Sequence, residues 1–431
     1  MKILNLILSF LFVYNICVFA AKSEDQKSEI INSKKLIITA WKLSSRISPD
    51  PKKLEYVFDK SFFSYISKGK VIELLKNLYS ENGLVVDIST VSIQNDLNGD
   101  FLFKTDRDMI IPVTISIEEK KGKITGLFFR PSFKKTSGIN EVMNDFEKLK
   151  YSKKAILIRK LGQIEDTIYA KNENEIMAIA SSFKLYILAS LLEEGSKWEK
   201  VIKIKEEEKS AFSKLSTYPE NAPLTIFSLA SAMISESDNT SSDILIDYIG
   251  REKIEKRLPS FYNTHPELNI PFLKTAEIFK IKYSTSISSG YLSLKSEKEK
   301  RKFLEKIKKE KIDIFKVKLN EPVLIDKIEW FSSMEDICKL MDYFRKKNDP
   351  YINTILSINT GLDTKTPAFA FAGYKGGSEP GVISMNWLLK TKQGTWYCLS
   401  SAINDEKQLI EQKDFFSAMQ NVLNIIGNES F

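Results

Sequence analysis

Residues 178–189 read AIASSFKLYILA, with a serine and a lysine, Ser181 and Lys184, at the head of an apolar run. In a helix these two side chains share one face a turn apart, close enough for an amine to take a hydroxyl proton. Phe183, Leu185, Tyr186, Ile187, Leu188, Leu191 and Leu192 make the segment apolar nearly all round, so the helix beginning at Ser181 is expected to be buried. A lysine in the first turn of a buried helix lies near the positive end of the helix dipole and in low dielectric. Both favour the neutral amine, the form that can act as a base. The spacing alone decides little, because Ser67/Lys70 and Ser132/Lys135 repeat it in stretches that read as loop or surface. The plain alternative for such a pair is a helix cap and a lysine reaching out to solvent.

Two later stretches change that weighting. Ser237-Asp238-Asn239, in SESDNTSSDILIDYIG, follows Ser181 by 56 residues and by itself reads as the N-cap of the next helix. A further 138 residues on, AFAFAGYKGGSEPG carries Lys375-Gly376-Gly377, which by itself reads as a hairpin turn with a solvated lysine. Serine-lysine on a buried helix, then serine-aspartate-asparagine, then lysine-x-glycine on a late strand is an order that chance seldom produces.

On these three motifs the sequence, over about residues 150–431, resembles the serine β-lactamase and penicillin-binding-protein superfamily, and class A β-lactamases most of all. The resemblance implies Ser181 as acylated nucleophile, Lys184 as its proton acceptor and Ser237 as relay to the leaving group. It implies that Asn239 holds the acyl side chain and that Lys375 supports Ser237 and attracts a substrate carboxylate. The implied oxyanion hole is the pair of backbone amides of Ser181 and Ser378, which the bare Gly376-Gly377 approach leaves unobstructed. No metal or organic cofactor is implied. Two positions depart from the pattern. The middle of the lysine-x-glycine triplet is usually Thr or Ser, whose hydroxyl binds the substrate carboxylate; here it is Gly376, with Ser378 as a substitute. The segment HPELN, 265–269, places His265 where a class A enzyme has its deacylating glutamate, with Glu267 two residues on, so these two are the candidates for activating the deacylating water. The two-part plan and the stretch NIPFLKTAEIFKIK (269–282) resemble the cephalosporin-esterase branch (Cpe/LpqF), whose members carry the two serines and the lysine without that glutamate.

The rest of the chain bounds this reading. Its 431 residues, 43% hydrophobic and 28% charged, suffice for two or three units with real cores. Lys2, the apolar run Ile3 to Phe19 and the small Ala20 before a charged stretch read as a secretory signal peptide, residues 1–20, leaving no stable membrane anchor after cleavage. The protein is therefore expected to be exported, periplasmic or secreted, with Cys338 and Cys398 as two free, mostly buried thiols in a compartment that permits a disulfide. The net charge of +8 is spread among acids, with no aromatic-basic stripe, which argues against nucleic acid as a partner. A single histidine, His265, argues against a histidine triad or a histidine-rich metal site.

Residues 21–137 read as a small α+β unit. Helical faces at Leu36, Ile37, Ala40, Trp41, Leu43 and at Val71, Leu74, Leu75, Leu78, Tyr79 precede strand-like runs at 84–93, 100–105, 109–118 and 123–131. That order suits a sheet curved around helices, as in the cone of nuclear transport factor and ketosteroid isomerase. Residues 138–431 read as the β-lactamase-like serine hydrolase domain: strands at 155–161 and 166–180, a helical middle with a solvated charged helix at 296–312, three strands at 368–377, 380–390 and 395–403, and a closing amphipathic helix. Strands at both ends of a helical middle imply one sheet built from distant segments, and the resemblance makes it antiparallel beside an all-helical subdomain. The expected activity is that of an exported serine hydrolase acting through an acyl-enzyme on a β-lactam, ester or amide, as a monomer or weak oligomer with a small-molecule or cell-wall-derived substrate. The alternatives are a penicillin-binding protein or peptidoglycan peptidase that releases slowly, and a non-catalytic binding protein on a relic fold.

Overall fold

The computed structural model describes residues 26–431 apart from 137, 196, 311–316, 318 and 368, so the expected signal segment, 1–20, lies outside the described residues. The front unit packs the helices Gln26–Ser44 and Lys68–Asn82 with four antiparallel strands, β1 (Val85–Asn95), β2 (Asn98–Thr105), β3 (Met109–Ile117) and β4 (Ile124–Phe129), in the order β1-β2-β3-β4. Its core joins Leu36, Ala40 and Leu43 to Phe101, Phe103, Ile111 and Val113, the inward positions of a helical and a strand period. Trp41, on the expected helix face, is instead exposed. Ser67 caps its helix by accepting from the Lys70 amide, so at this pair the serine-lysine spacing is a cap.

In the rear unit β5 (Lys153–Leu161) and β6 (Asp166–Lys171) precede the helical middle, and β7 (Phe371–Glu379), β8 (Val382–Lys390) and β9 (Trp396–Asn404) follow it. They form one antiparallel sheet in the order β7-β8-β9-β5-β6, so β9 and β5 pair across the whole middle of the chain. Alternate side chains serve two cores. Ile383, Met385, Trp387 and Leu389 pack with Phe415, Met419 and Val422 of the closing helix Gln412–Asn428. Leu388, Cys398 and Ala402 face the buried helices of the middle, including Lys184–Glu193 and Met334–Lys347. Burial on both faces explains why β8 and β9 read as nearly continuous apolar runs.

The two cysteines depart from expectation. Cys338, on the Met334–Lys347 helix, and Cys398, on β9, are buried but joined in a disulfide, with Cα atoms 5.7 Å apart across a sequence separation of 60. A helix lying on the sheet brings facing positions together whatever their distance along the chain. Front and rear units meet at an ion pair, Lys365 Nζ to Asp100 Oδ2 at 2.7 Å, and where Asn421 Nδ2 donates to the Lys134 carbonyl at 2.7 Å. Among the described residues no helix is long and apolar enough to cross a membrane.

Candidate active site

A short bridge between Met177–Ala178 and Phe331–Ser332 leads into the turn that carries Ser181. The Ile179 amide donates to the Trp330 carbonyl at 3.0 Å, and Phe183 stacks on the Trp330 ring with centroids 3.6 Å apart. Between these anchors Ala180 adopts a left-handed φ of 42°, unusual for a residue with a Cβ, and residues Ala180–Phe183 form a 3₁₀ turn. The α-helix therefore starts at Lys184, not at Ser181 as the periodicity suggested. A 3₁₀ turn aligns residues three apart, which keeps Ser181 and Lys184 on one side. Ser181 is partly exposed, whereas Ser182 and Lys184 are fully buried. The Ser181 hydroxyl makes no hydrogen bond among the described residues, so the direct serine-lysine contact is absent here.

Lys184 Nζ turns instead to the second motif, donating to the Ser237 carbonyl at 2.5 Å, Ser237 Oγ at 3.1 Å and Asn239 Oδ1 at 2.9 Å. Lys375 Nζ reaches the same hydroxyl, Ser237 Oγ, at 3.0 Å and also donates to the Gly376 carbonyl at 2.5 Å. One serine hydroxyl thus stands between two buried amines. Burial pushes Lys184 down to about 7, against the pull of the Asp238 and Asp243 carboxylates. Burial first, and then the neighbouring Lys184, holds Lys375 well below the usual lysine range. Neither amine can stay charged cheaply beside the other, so the cluster favours a neutral amine next to a hydroxyl. Ser237 itself sits at a left-handed φ of 56°. The cap reading of this motif also holds, on the middle residue: the Asp238 carboxylate accepts from the Ser241 amide at 2.7 Å and begins the helix Asn239–Ile249.

Lys375-Gly376-Gly377 is not a turn. It lies inside β7, the edge strand, and the chain reverses later, at Pro380-Gly381. Lys375 is 2% exposed, which removes the solvated-lysine reading. Gly377 presses on the serine turn so closely that a Cβ there would stand 2.4 Å from the Ser181 amide nitrogen and 2.5 Å from the Ile179 carbonyl oxygen. Ser378 follows, exposed, on the same strand. Asn239 is engaged at both ends, since Nδ2 donates to the Ala211 carbonyl at 3.1 Å. Ser181, Lys184, Ser237, Asn239, Lys375 and Gly377 are therefore drawn into one cluster by three segments of chain.

His265 and Glu267 do not join it. They hydrogen-bond to each other, Nδ1 to Oε1 at 2.9 Å, with side chains 52% and 65% exposed, and neither bonds to any residue of the cluster. Asn269 at the end of this short turn is locked to Phe331 by two bonds, 2.8 and 2.9 Å, which fixes the segment with His265 and Glu267 facing solvent.

Sequence reasoning missed a buried polar layer beneath the cluster. Asn386 Nδ2 donates to Ser182 Oγ at 2.9 Å, Ser384 Oγ at 3.0 Å and the Lys375 carbonyl at 3.1 Å, while its Oδ1 accepts from Ser400 Oγ at 2.5 Å. These four side chains are essentially unexposed. They tie the residue after Ser181 to the backbone of Lys375. The signal was present: in VISMNWLLK, Ser384 and Asn386 alternate on one face of an otherwise apolar strand, and asparagine is disfavoured there without a partner. Just beyond Ser378, Glu379 shares the buried Lys282 amine with Glu329, and burial together with Glu329 holds its carboxyl well above the usual range.

The family model of the beta-lactamase enzyme family matches residues 136–311. Among solved structures, PBP-A in an acyl-enzyme complex with penicillin G is 11% identical, with 68% of this chain and 95% of that one covered and a TM-score of 0.46. A beta-lactamase from Sphaerobacter thermophilus is 16% identical, covering 68% of this chain and 97% of that one at a TM-score of 0.46. One from Chitinophaga pinensis is 14% identical, covering 68% and 98% at a TM-score of 0.45. No curated protein matches this chain.

Proposed function

With residues 136–311 carrying the beta-lactamase enzyme family match as the premise, we propose that this chain is a serine hydrolase that forms an acyl-enzyme at Ser181 on a β-lactam, ester or amide. The observation that carries the reading is Ser237 Oγ held between two buried amines, 3.1 Å from Lys184 and 3.0 Å from Lys375. Burying two lysines on one hydroxyl is costly for folding, and it is useful for moving protons. In this reading Lys184, neutral above about 7 and on the same side of the turn as Ser181, turns from Ser237 to take the Ser181 proton as Oγ attacks the carbonyl carbon. The tetrahedral oxyanion lies against the backbone amides of Ser181 and Ser378, and the close approach of Gly377 to the serine turn supports that placement. The proton passes through Ser237 to the leaving group as the acyl-enzyme forms. Asn239 keeps one amide hydrogen for the acyl side chain. Export is part of the proposal, supported by the N-terminal sequence pattern and by the Cys338–Cys398 disulfide, which suits an oxidising compartment.

Slow release, in the manner of a penicillin-binding protein, is favoured by one observation: His265 and Glu267, the two candidate deacylating groups, are paired with each other and exposed, and among the described residues neither bonds to the cluster. Intact-protein mass after incubation with a penicillin and, separately, an activated acetyl ester tests both points beside a Ser181→Ala control. An adduct absent from the control is expected, and its decay rate separates hydrolase from slow releaser. Absence of any adduct from the wild-type protein refutes the catalytic reading.

A further inference from the structure

On β7 the side-chain positions of Lys375, Gly377 and Glu379 fall on one face, because strand residues two apart do. The first reaches Ser237, the second presses on the serine turn, and the third meets Lys282, near the end of the helix Thr275–Tyr283. Lys282 Nζ donates to Glu379 Oε1 at 2.5 Å and to Glu329 Oε1 at 2.6 Å. Glu329 leads directly into Trp330, whose amide donates to Glu329 Oε2 at 3.2 Å and whose indole Nε1 donates to the Leu273 carbonyl at 3.1 Å. Trp330 in turn clamps the turn that carries Ser181, through the Ile179 amide and the Phe183 ring. One buried amine therefore ties together the two segments whose separation decides where the amides of Ser181 and Ser378 stand. The sheet itself holds β7 from the β8 side alone, since β7 is its edge.

We propose that Lys282 is a positioning residue that sets the width of the oxyanion hole: through Glu379 it fixes the strand bearing the Ser378 amide, and through Glu329 the clamp on the turn bearing the Ser181 amide. A buried ion cluster is a weak source of stability, because apolar side chains of similar volume often serve as well, and its better-attested use is to hold one arrangement of segments. Here the arrangement held is the spacing of two backbone donors, and a misplacement of about 1 Å at such a site can cost about a hundredfold in rate. This inference rests on the proposed acyl-enzyme chemistry.

The test removes one arm of the brace from the full chain. The Glu379 side chain is 17% exposed against 1% for Lys282 and Glu329, and Glu379→Leu leaves the Lys282–Glu329 pair intact. With benzylpenicillin, its acylation rate constant at saturation should fall about tenfold or more while the half-saturating concentration changes by less than about threefold. Burial together with Glu329 keeps the Glu379 carboxyl protonated, so glutamine is its neutral counterpart, and Glu379→Gln should return the rate constant to within about threefold of wild type. An unchanged rate constant in Glu379→Leu overturns the proposal, as does a loss that Glu379→Gln does not restore or one carried equally by the half-saturating concentration. Should Glu379→Leu fail to melt cooperatively, Glu379→Asp, which draws the carboxyl back by one methylene, reads the same split, and an unchanged rate constant there also overturns it. If the wild-type protein forms no adduct, the acyl-enzyme reading fails by itself. Amide hydrogen exchange then reads the brace separately: peptides spanning 177–183 and 371–379 should exchange about threefold or more faster in Glu379→Leu than in wild type and recover in Glu379→Gln, and unchanged exchange overturns it.

Discussion

In the proposed mechanism Lys184 makes acylation pH-dependent. Its amine falls from an ordinary 10.5 to about 7 because burial outweighs the Asp238 and Asp243 charges, so the base-competent form grows as pH rises through 7. Acylation by an activated ester should rise with an apparent pKa near 7 and then level off, and Lys184→Ala should abolish it while the far-ultraviolet spectrum stays native. A flat profile between pH 5 and about 9 removes Lys184 as the base. The same shift has a stability consequence of fixed sign. Between about 7 and 10.5 the unfolded chain holds a proton that the folded one lacks, so stability climbs with pH across that window by several kcal/mol, at about 1.4 kcal/mol per unit. The spacing of Ser181, Lys184, Ser237 and Lys375 was legible because motif order survives as a linear record. Asn386 was not singled out: its importance lies in bonds to Ser182, Lys375 and Ser400, which come from three other segments.

At the scale of elements, the site is made by contact between a strand and a turn. Gly377 on β7 leaves no room for a Cβ because the Ser181 amide and the Ile179 carbonyl already stand there, and backbone cannot swing aside as a side chain can. Gly377→Val should therefore displace the serine turn and abolish labelling of Ser181 in a protein that still melts cooperatively; retained labelling would show that the turn is not held by β7. The Met334–Lys347 helix is tied to β9 by Cys338–Cys398, which closes a loop spanning a sequence separation of 60. Opening that loop in a Cys338→Ala/Cys398→Ala variant should cost about 2–4 kcal/mol in denaturant unfolding. Alkylating the denatured, unreduced protein should modify neither cysteine, and modification of both would contradict the pairing. The apolar runs predicted the strands, but not that Ala180 would take a left-handed conformation and delay the helix to Lys184, because the clamp responsible is Trp330, about 150 residues away.

For the whole molecule, Asp100 links the front sheet to the segment that feeds β7. Burial alone would raise its carboxyl, yet hydrogen bonds from Lys365 and Thr114 and the Lys365 charge outweigh it and hold the group below its ordinary 3.8. A carboxyl lowered in this way contributes stability that is full above 3.8 and is lost as pH falls through the depressed folded value. Asp100→Asn should accordingly be less stable than wild type at neutral pH, with the two unfolding curves converging in acid; a constant difference at every pH would sink the assignment. Composition, hydrophobic period and motif order determined the classes of element, the split between a front meander and a rear sheet around helices, and the residues most worth testing, because each is a property of neighbours along the chain. Tertiary structure alone decided that Cys338 meets Cys398, that His265 and Glu267 face solvent, and that Lys282 joins Glu329 to Glu379. Those outcomes depend on how separate segments pack against one another, and packing distances are not written in sequence spacing.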